Sequence, residues 1–165
     1  MKIRKITFCA MVAAIYTVLT ITPPLNAIAF GPIQFRISEV LCVLPFLLPF
    51  STWGLFVGCI LANLLGPNFG PYDIIFGSLA TLLAGYLTSK LKKEWMTPLP
   101  AAVINGLVVG AVLAYYIGEN GFFISFGIFG MQVLAGEIAV IAVLGIPLLY
   151  ALEKWGIKEK FAIKS

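Results

Sequence analysis

Long apolar runs, broken only by Pro, Gly or clustered charge, dominate the chain and predict helices that cross a bilayer. Span one is read over Ile6 to Thr22, ending at Pro23-Pro24, and a short span two over Ile37 to Pro49. Span three runs from Trp53 to Leu65 and stops at Gly66-Pro67. Span four covers Tyr72 to Leu91, span five Leu99 to Gly118, and span six Phe126 to Leu152. A spanning helix takes about 20 apolar residues, so six of them use about 120. The rest of the 165 residues suffices for ends and connections and leaves no room for a soluble catalytic or nucleotide-binding domain. The expected fold is an all-α, six-helix membrane bundle forming one substrate-binding domain over residues 1–165.

The longest connection, PPLNAIAFGPIQFR from Pro23 to Arg36, is apolar yet rich in Pro and Gly, and is expected to be non-helical. An apolar loop beside a membrane domain is better placed over protein than in water. Two readings stand: a lid between spans one and two, or a structural re-entrant loop.

Composition sharpens the class. Hydrophobic residues make up 61% of the chain and charged ones 11%, whereas a soluble domain carries roughly a quarter charged residues. The absence of His removes the usual general base, zinc ligand and proton shuttle. Cys9, Cys42 and Cys59 lie in separate apolar stretches without CxxC spacing and read as small buried side chains rather than metal ligands or disulfides. No GxxxxGK[ST] loop is present, so any pumping draws on energy supplied by a partner. No cofactor is implied.

The net charge of +4 is a matter of topology. Of the eleven positive residues, ten fall in three places: Lys2, Arg4 and Lys5; Lys90, Lys92 and Lys93; and Lys154, Lys158, Lys160 and Lys164. With six spans all three lie on one face, which the positive-inside rule makes cytoplasmic, together with both termini. Anionic lipid, not nucleic acid, is then the expected neighbour. Ala27-Ile28-Ala29 has the small-residue pattern of a signal-peptidase site, and five spans would also fit the charges. An apolar run of about 17 residues exceeds the usual signal core, and Pro23-Pro24 precedes the site, so the six-span reading is preferred.

Outside those clusters remain Arg36, Glu39, Asp73, Glu119 and Glu137, a formal −3 in the outer half and the membrane interior. Intramembrane acids need a partner or a function. Arg36 and Glu39, three apart at the start of span two, fit an ion pair or a substrate contact equally well. Asp73 suits a helix N-terminus, and Glu119 a solvated span end. Glu137 lies too deep in QVLAGEIAVIAVLG to snorkel; a neutral buried carboxyl or an interhelical bond would fit, and a ligand-facing role is preferred. Asn63, Asn105 and Gln132 can each bond neighbouring helices. Together with the acids, and with Phe35, Trp53, Tyr72 and Phe76 nearby in sequence, they outline a pocket. Amides match a ring edge, aromatics its face, and acids a cation, which suits a small planar nitrogen heterocycle with positive charge. Glu137 or Glu39 is expected to carry the charge recognition.

Small residues recur at four-residue spacing: Ala10 and Ala14, Gly54 and Gly58, Ala80 and Ala84, Gly106 and Gly110, Ala135 and Ala139. Close helix packing is their default role. The pair on span one can instead face a separate membrane partner.

The basic start and FCAMVAAIYTVLT, with its Ala10-x-x-x-Ala14 pair, resemble the substrate-binding S-components of energy-coupling-factor (ECF) transporters. More specifically, GPIQFRISEVLCVLPF, GLFVGCILANLLGP, YDIIFGSLATLLAGYL, LPAAVINGLVVG and QVLAGEIAVIAVLGIPLLYALE resemble, in that order, the queuosine-precursor (QueT-type) S-component family over nearly the whole chain. The resemblance implies uptake of a 7-deazapurine such as 7-aminomethyl-7-deazaguanine or queuine across the cell membrane. It also implies a coupling membrane subunit, docked through Ala10 and Ala14, and two cytoplasmic ATPases. Gln34, Phe35, Arg36 and Glu39 match its QFRxSE segment, Asn63 the end of GCxxAN, and Asp73, after Tyr72, the acid before FGSLATLLA. Asn105 matches the amide of span five, and Gln132 with Glu137 the QVxxGE segment.

Three other classes fit the sequence less well. An autonomous transporter would normally show inverted repeats, and the two halves show no convincing similarity, though a homo-oligomeric channel stays open. An intramembrane enzyme lacks His and any nucleophile–base pairing in sequence. A structural assembly protein would bind no small molecule.

Overall fold

In the computed structural model, which describes residues 2–30, 35–67 and 70–162, all regular structure among the described residues is helical. Three stretches there are long and apolar enough to cross a membrane: α1 (Lys2–Ile21), α6 with its lead-in turn (Glu94–Ile117) and α7 (Phe122–Lys154). Between them in the chain lie α2 (Leu25–Ala29) and the shorter apolar helices α3 (Ile37–Leu47), α4 (Pro49–Leu65) and α5 (Asp73–Thr88); α8 (Ile157–Ala162) closes the order. The expected spans three to six reappear as α4 to α7 with ends moved by a few residues.

Two expectations need correction. The Pro- and Gly-rich connection after span one contains α2, a single helical turn whose Ala29 is buried, because the breakers flank LNAIA rather than interrupt it. Gly31 to Gln34 of that connection lie outside the described residues. Span two begins as a tight 3-10 helix over Ile37–Val43 before turning α-helical at Leu44–Leu47. At roughly 1.5–2.0 Å of rise per residue, α3 reaches only part of the way across a hydrocarbon core about 30 Å thick.

The outside of the molecule inverts the soluble pattern. Large apolar side chains such as Val18, Leu65, Leu107, Phe123, Met131 and Val143 are exposed on the long helices, as expected of surfaces that meet lipid. The interior is closed by small residues. A Cβ on Gly54 or Gly58 of α4 would meet the Cys9 or Ala13 carbonyl of α1 at 2.7 and 3.0 Å. On α6, a Cβ at Gly110 would sit 2.6 Å from the Gly130 Cα of α7. These are the close approaches that four-residue spacing foretold for Gly54 with Gly58 and for Gly106 with Gly110.

α3 lies at the centre, with Ser38, Glu39, Leu41, Cys42 and Val43 all buried. It docks on α7 where that helix carries a π turn, Ile141–Gly145; a Cβ at Gly145 would strike the Val43 side chain at 2.8 Å. A second π turn, Asp73–Gly77, opens α5. Each inserts one residue into the helical ladder, a local change often found at functional sites.

Gly110→Ala should therefore cost about 1–3 kcal/mol, since backbone on backbone cannot yield. Gly127→Ala, whose Cβ meets nothing within 4 Å, should stay within about 0.5 kcal/mol of wild type. Unfolding of both variants in detergent checks this; equal stability of the two would contradict the α6–α7 packing.

Candidate functional site

The chain enters α3 through Arg36, whose backbone is extended (φ −85°, ψ 94°). Its side chain turns into the protein and is 4% exposed. Nη2 donates to Asn63 Oδ1 at 3.2 Å, and the guanidinium lies 5.3 Å from the centre of the Phe30 ring, a cation–π distance. Asn63 in turn donates from Nδ2 to the Asp73 carbonyl at 3.2 Å, tying α4 to the π turn of α5. Cys59, one helical turn before Asn63, receives Thr81 Oγ1 at 3.4 Å. This ladder runs from Phe30 through Arg36 and Asn63 to Asp73, which sits buried in the first turn of α5.

Glu39 points elsewhere. Its Oε1 accepts from the Tyr16 hydroxyl of α1, and its Oε2 from the Cys42 thiol at 2.7 Å. The Arg36–Glu39 ion pair does not form; among the described residues the ion pair seen is Lys158–Glu153, at 3.7 Å near the chain end. The reason is local. Arg36 precedes the helix in extended backbone, so three-residue spacing does not set it over Glu39. Nearby, the Thr20 and Ser38 hydroxyls meet at 2.7 Å and close the α1–α3 contact.

Glu137 of α7 occupies a third position. Asn105 of α6 donates from Nδ2 to its Oε1 at 2.8 Å, and both side chains are buried. Glu137 lies within electrostatic range of both Glu39 and Arg36, so the three belong to one cluster facing α3. Gln132, a turn or so before Glu137, is half-buried, and its Oε1 has no partner.

The structure thus brings Arg36, Glu39, Asn63, Asp73, Asn105 and Glu137 together in the interior. It leaves others out. Tyr72 is exposed, and with Phe76, Tyr115 and Tyr116 it lines an apolar cleft of about 520 Å³ between α5 and α6. Trp53 faces outward, Phe35 is partly exposed beside Arg36, Glu119 is exposed, and Gln34 lies outside the described residues. Tyr16, Cys42, Thr20 and Ser38 were missed. A signal for two of them existed: Tyr16 and Thr20 share one face of an otherwise apolar span at four-residue spacing.

Ala10 and Ala14 are exposed on α1, on the face away from Val12, Ala13, Tyr16 and Thr17, which pack inward.

A helical membrane chain with acids, amides and an arginine gathered in its interior has the build of a small-molecule membrane carrier. The chain belongs to the QueT transporter family, whose model matches residues 6–154. It is 43% identical over 82 residues to the queuosine precursor transporter QueT of Lactococcus lactis subsp. cremoris (strain MG1363), an alignment covering 50% of this chain and 47% of that protein. The chain therefore matches about half the length of that curated relative. No solved structure matches. Membership in a family of transporters agrees with the expectation from sequence that the chain is not an enzyme.

Removing the phenol strands a buried carboxylate oxygen, so Tyr16→Phe should lower stability by about 1–3 kcal/mol. Cys42→Ser, which keeps a donor on Glu39, should lose less. Melting in detergent checks the order; a neutral Tyr16→Phe would contradict the bond.

Proposed function

We propose that this chain is the substrate-binding S-component of an ECF-type importer, taking a 7-deazapurine precursor of queuosine such as 7-aminomethyl-7-deazaguanine or queuine. It lies in the cell membrane as six helical segments, of which α3 is a buried partial span, with both termini and the three lysine-rich clusters on the cytoplasmic side. A coupling membrane subunit docks on Ala10 and Ala14, and two cytoplasmic ATPases drive transport.

The observation that carries this reading is the buried cluster in a QueT-family chain. Arg36 against Glu39, Asp73 and Glu137 gives the interior a formal −2, which favours a ligand bearing an ammonium. Amides beside those acids suit the edges of a heterocycle. The similarity to the queuosine precursor transporter of Lactococcus lactis supports the same substrate class. The absence of a nucleotide-binding loop from the sequence supports an outside source of energy. Two alanines exposed at four-residue spacing on α1 offer a flat surface on which another helix can come close. Arg36, Asn105, Gln132 and Glu137 are the contacts we assign to the ring. Glu39 and Asn63 hold the site's shape, Asp73 adds negative charge, and Phe35 and Tyr72 stand towards its outer side.

The test separates binding from transport. Ala14→Trp or Ala10→Trp should abolish uptake of labelled 7-aminomethyl-7-deazaguanine in cells carrying the coupling subunits, while calorimetry on the purified variant shows wild-type affinity. Loss of binding together with uptake would place this face inside the fold. Accumulation by the purified chain alone in liposomes, without ATPases, would contradict the S-component reading.

A further inference from the structure

Hydrogen-bonding capacity in the buried cluster is spent unevenly. Both oxygens of Glu39 accept from protein donors. Asn63 accepts at Oδ1 from Arg36 and donates from Nδ2 to the Asp73 carbonyl. Those side chains act as fasteners. Glu137 and Asn105 differ: their single shared bond leaves Glu137 Oε2 and Asn105 Oδ1 buried without a partner. The residues are only 4% and 3% exposed. Two unspent acceptors on one joined pair, deep in an apolar chain, call for an explanation. Close approach of α6 and α7 at Gly106, Gly110 and Gly130 holds the pair together.

We propose that the Glu137–Asn105 pair reads the donor edge of a 2-amino-4-oxopyrimidine ring, the ring of a 7-deazaguanine. This rests on the substrate class proposed above and assigns its recognition atoms. Such a ring presents, side by side, a carbonyl acceptor, a ring N–H donor and an exocyclic amine donor. The pair's two unspent acceptors, Glu137 Oε2 and Asn105 Oδ1, complement the two adjacent donors of that edge. A 7-deazaadenine edge would set a ring lone pair against acceptor oxygens, and that repulsion excludes it. Glu137 therefore reads the ring and not the ligand's ammonium, which the summed negative charge of the cluster attracts.

Titration of the purified wild-type chain in detergent with four ligands tests the assignment: 7-deazaguanine, 7-deazahypoxanthine, 7-deazaadenine and 7-aminomethyl-7-deazaguanine. Loss of the 2-amino group should weaken binding about 10- to 150-fold, the range for a buried hydrogen bond to a charged partner. 7-Deazaadenine should not saturate. Glu137→Gln should weaken 7-deazaguanine by a similar factor and reduce its advantage over 7-deazahypoxanthine to about threefold or less, while the ratio between the aminomethyl and unsubstituted ligands falls by a smaller factor, since Glu39 and Asp73 keep their charge. Asn105→Ser, which removes the acceptor facing the ring N–H, should weaken both 7-deazaguanine and 7-deazahypoxanthine. Melting curves establish that each variant is folded; should Glu137→Gln not fold, the wild-type series and Asn105→Ser decide. Equal wild-type affinity for 7-deazaguanine and 7-deazahypoxanthine would overturn the assignment and leave the substrate class standing. A Glu137→Gln loss confined to the amine-bearing ligand would do the same. No binding of any of the four would overturn both.

Discussion

A carboxylate taken out of water into hydrocarbon persists only where its oxygens find donors, and Glu39 imposes that demand at the centre of this fold. Its two oxygens are met by Tyr16 from α1 and by Cys42 from the next turn of α3. Because α3 is short and buried, the longer helices arrange themselves around it. α4 closes on α1 through glycines, and α7 yields a π turn and Gly145 to make room for Val43. The polar groups of the interior are therefore positioned by packing as much as by their own bonds.

Within that frame the charged groups divide by what they have left to give. The Arg36–Asn63–Asp73 ladder and the Tyr16–Glu39–Cys42 set fasten helices to one another. Glu137 and Asn105 fasten too, through one bond, but keep acceptors in hand. Buried polar atoms without partners are uncommon in folded proteins because each forgoes its hydration for nothing in return. In a family of transporters, a group that completes its bonding only when cargo arrives turns that deficit into selectivity.

Much of the helical order was legible in sequence, since Pro, Gly and lysine clusters mark where apolar runs must stop. α4 to α7 sit close to where the hydropathy put them, and Glu137 stood out because it lies too deep in an apolar run to snorkel. What stayed hidden depended on contacts distant in sequence. The 3-10 winding of α3 is invisible in a run too short and too uniformly apolar to show a period. Spacing alone left Arg36 and Glu39 open to an ion pair or a substrate contact, yet Arg36 lies outside the helix and finds Asn63, 27 positions further on. Tyr72 and Phe76 follow the same logic in reverse: close in sequence to Asp73, they turn to the apolar cleft shared with Tyr115 and Tyr116. α2 escaped notice because the Pro and Gly residues that argued against a helix bracket it.

The polar core would hold a planar heterocycle by hydrogen bonds, whereas the apolar cleft would hold it by stacking. Photo-crosslinking with a diazirine-bearing 7-deazaguanine, followed by peptide mapping of the labelled chain, separates them directly. Labelling within residues 36–42, at Asn105 and within residues 132–137, competed away by unlabelled 7-deazaguanine, is the result this account predicts. Competable labelling confined to Tyr72, Tyr115 and Tyr116, with the polar core unmarked, would contradict it.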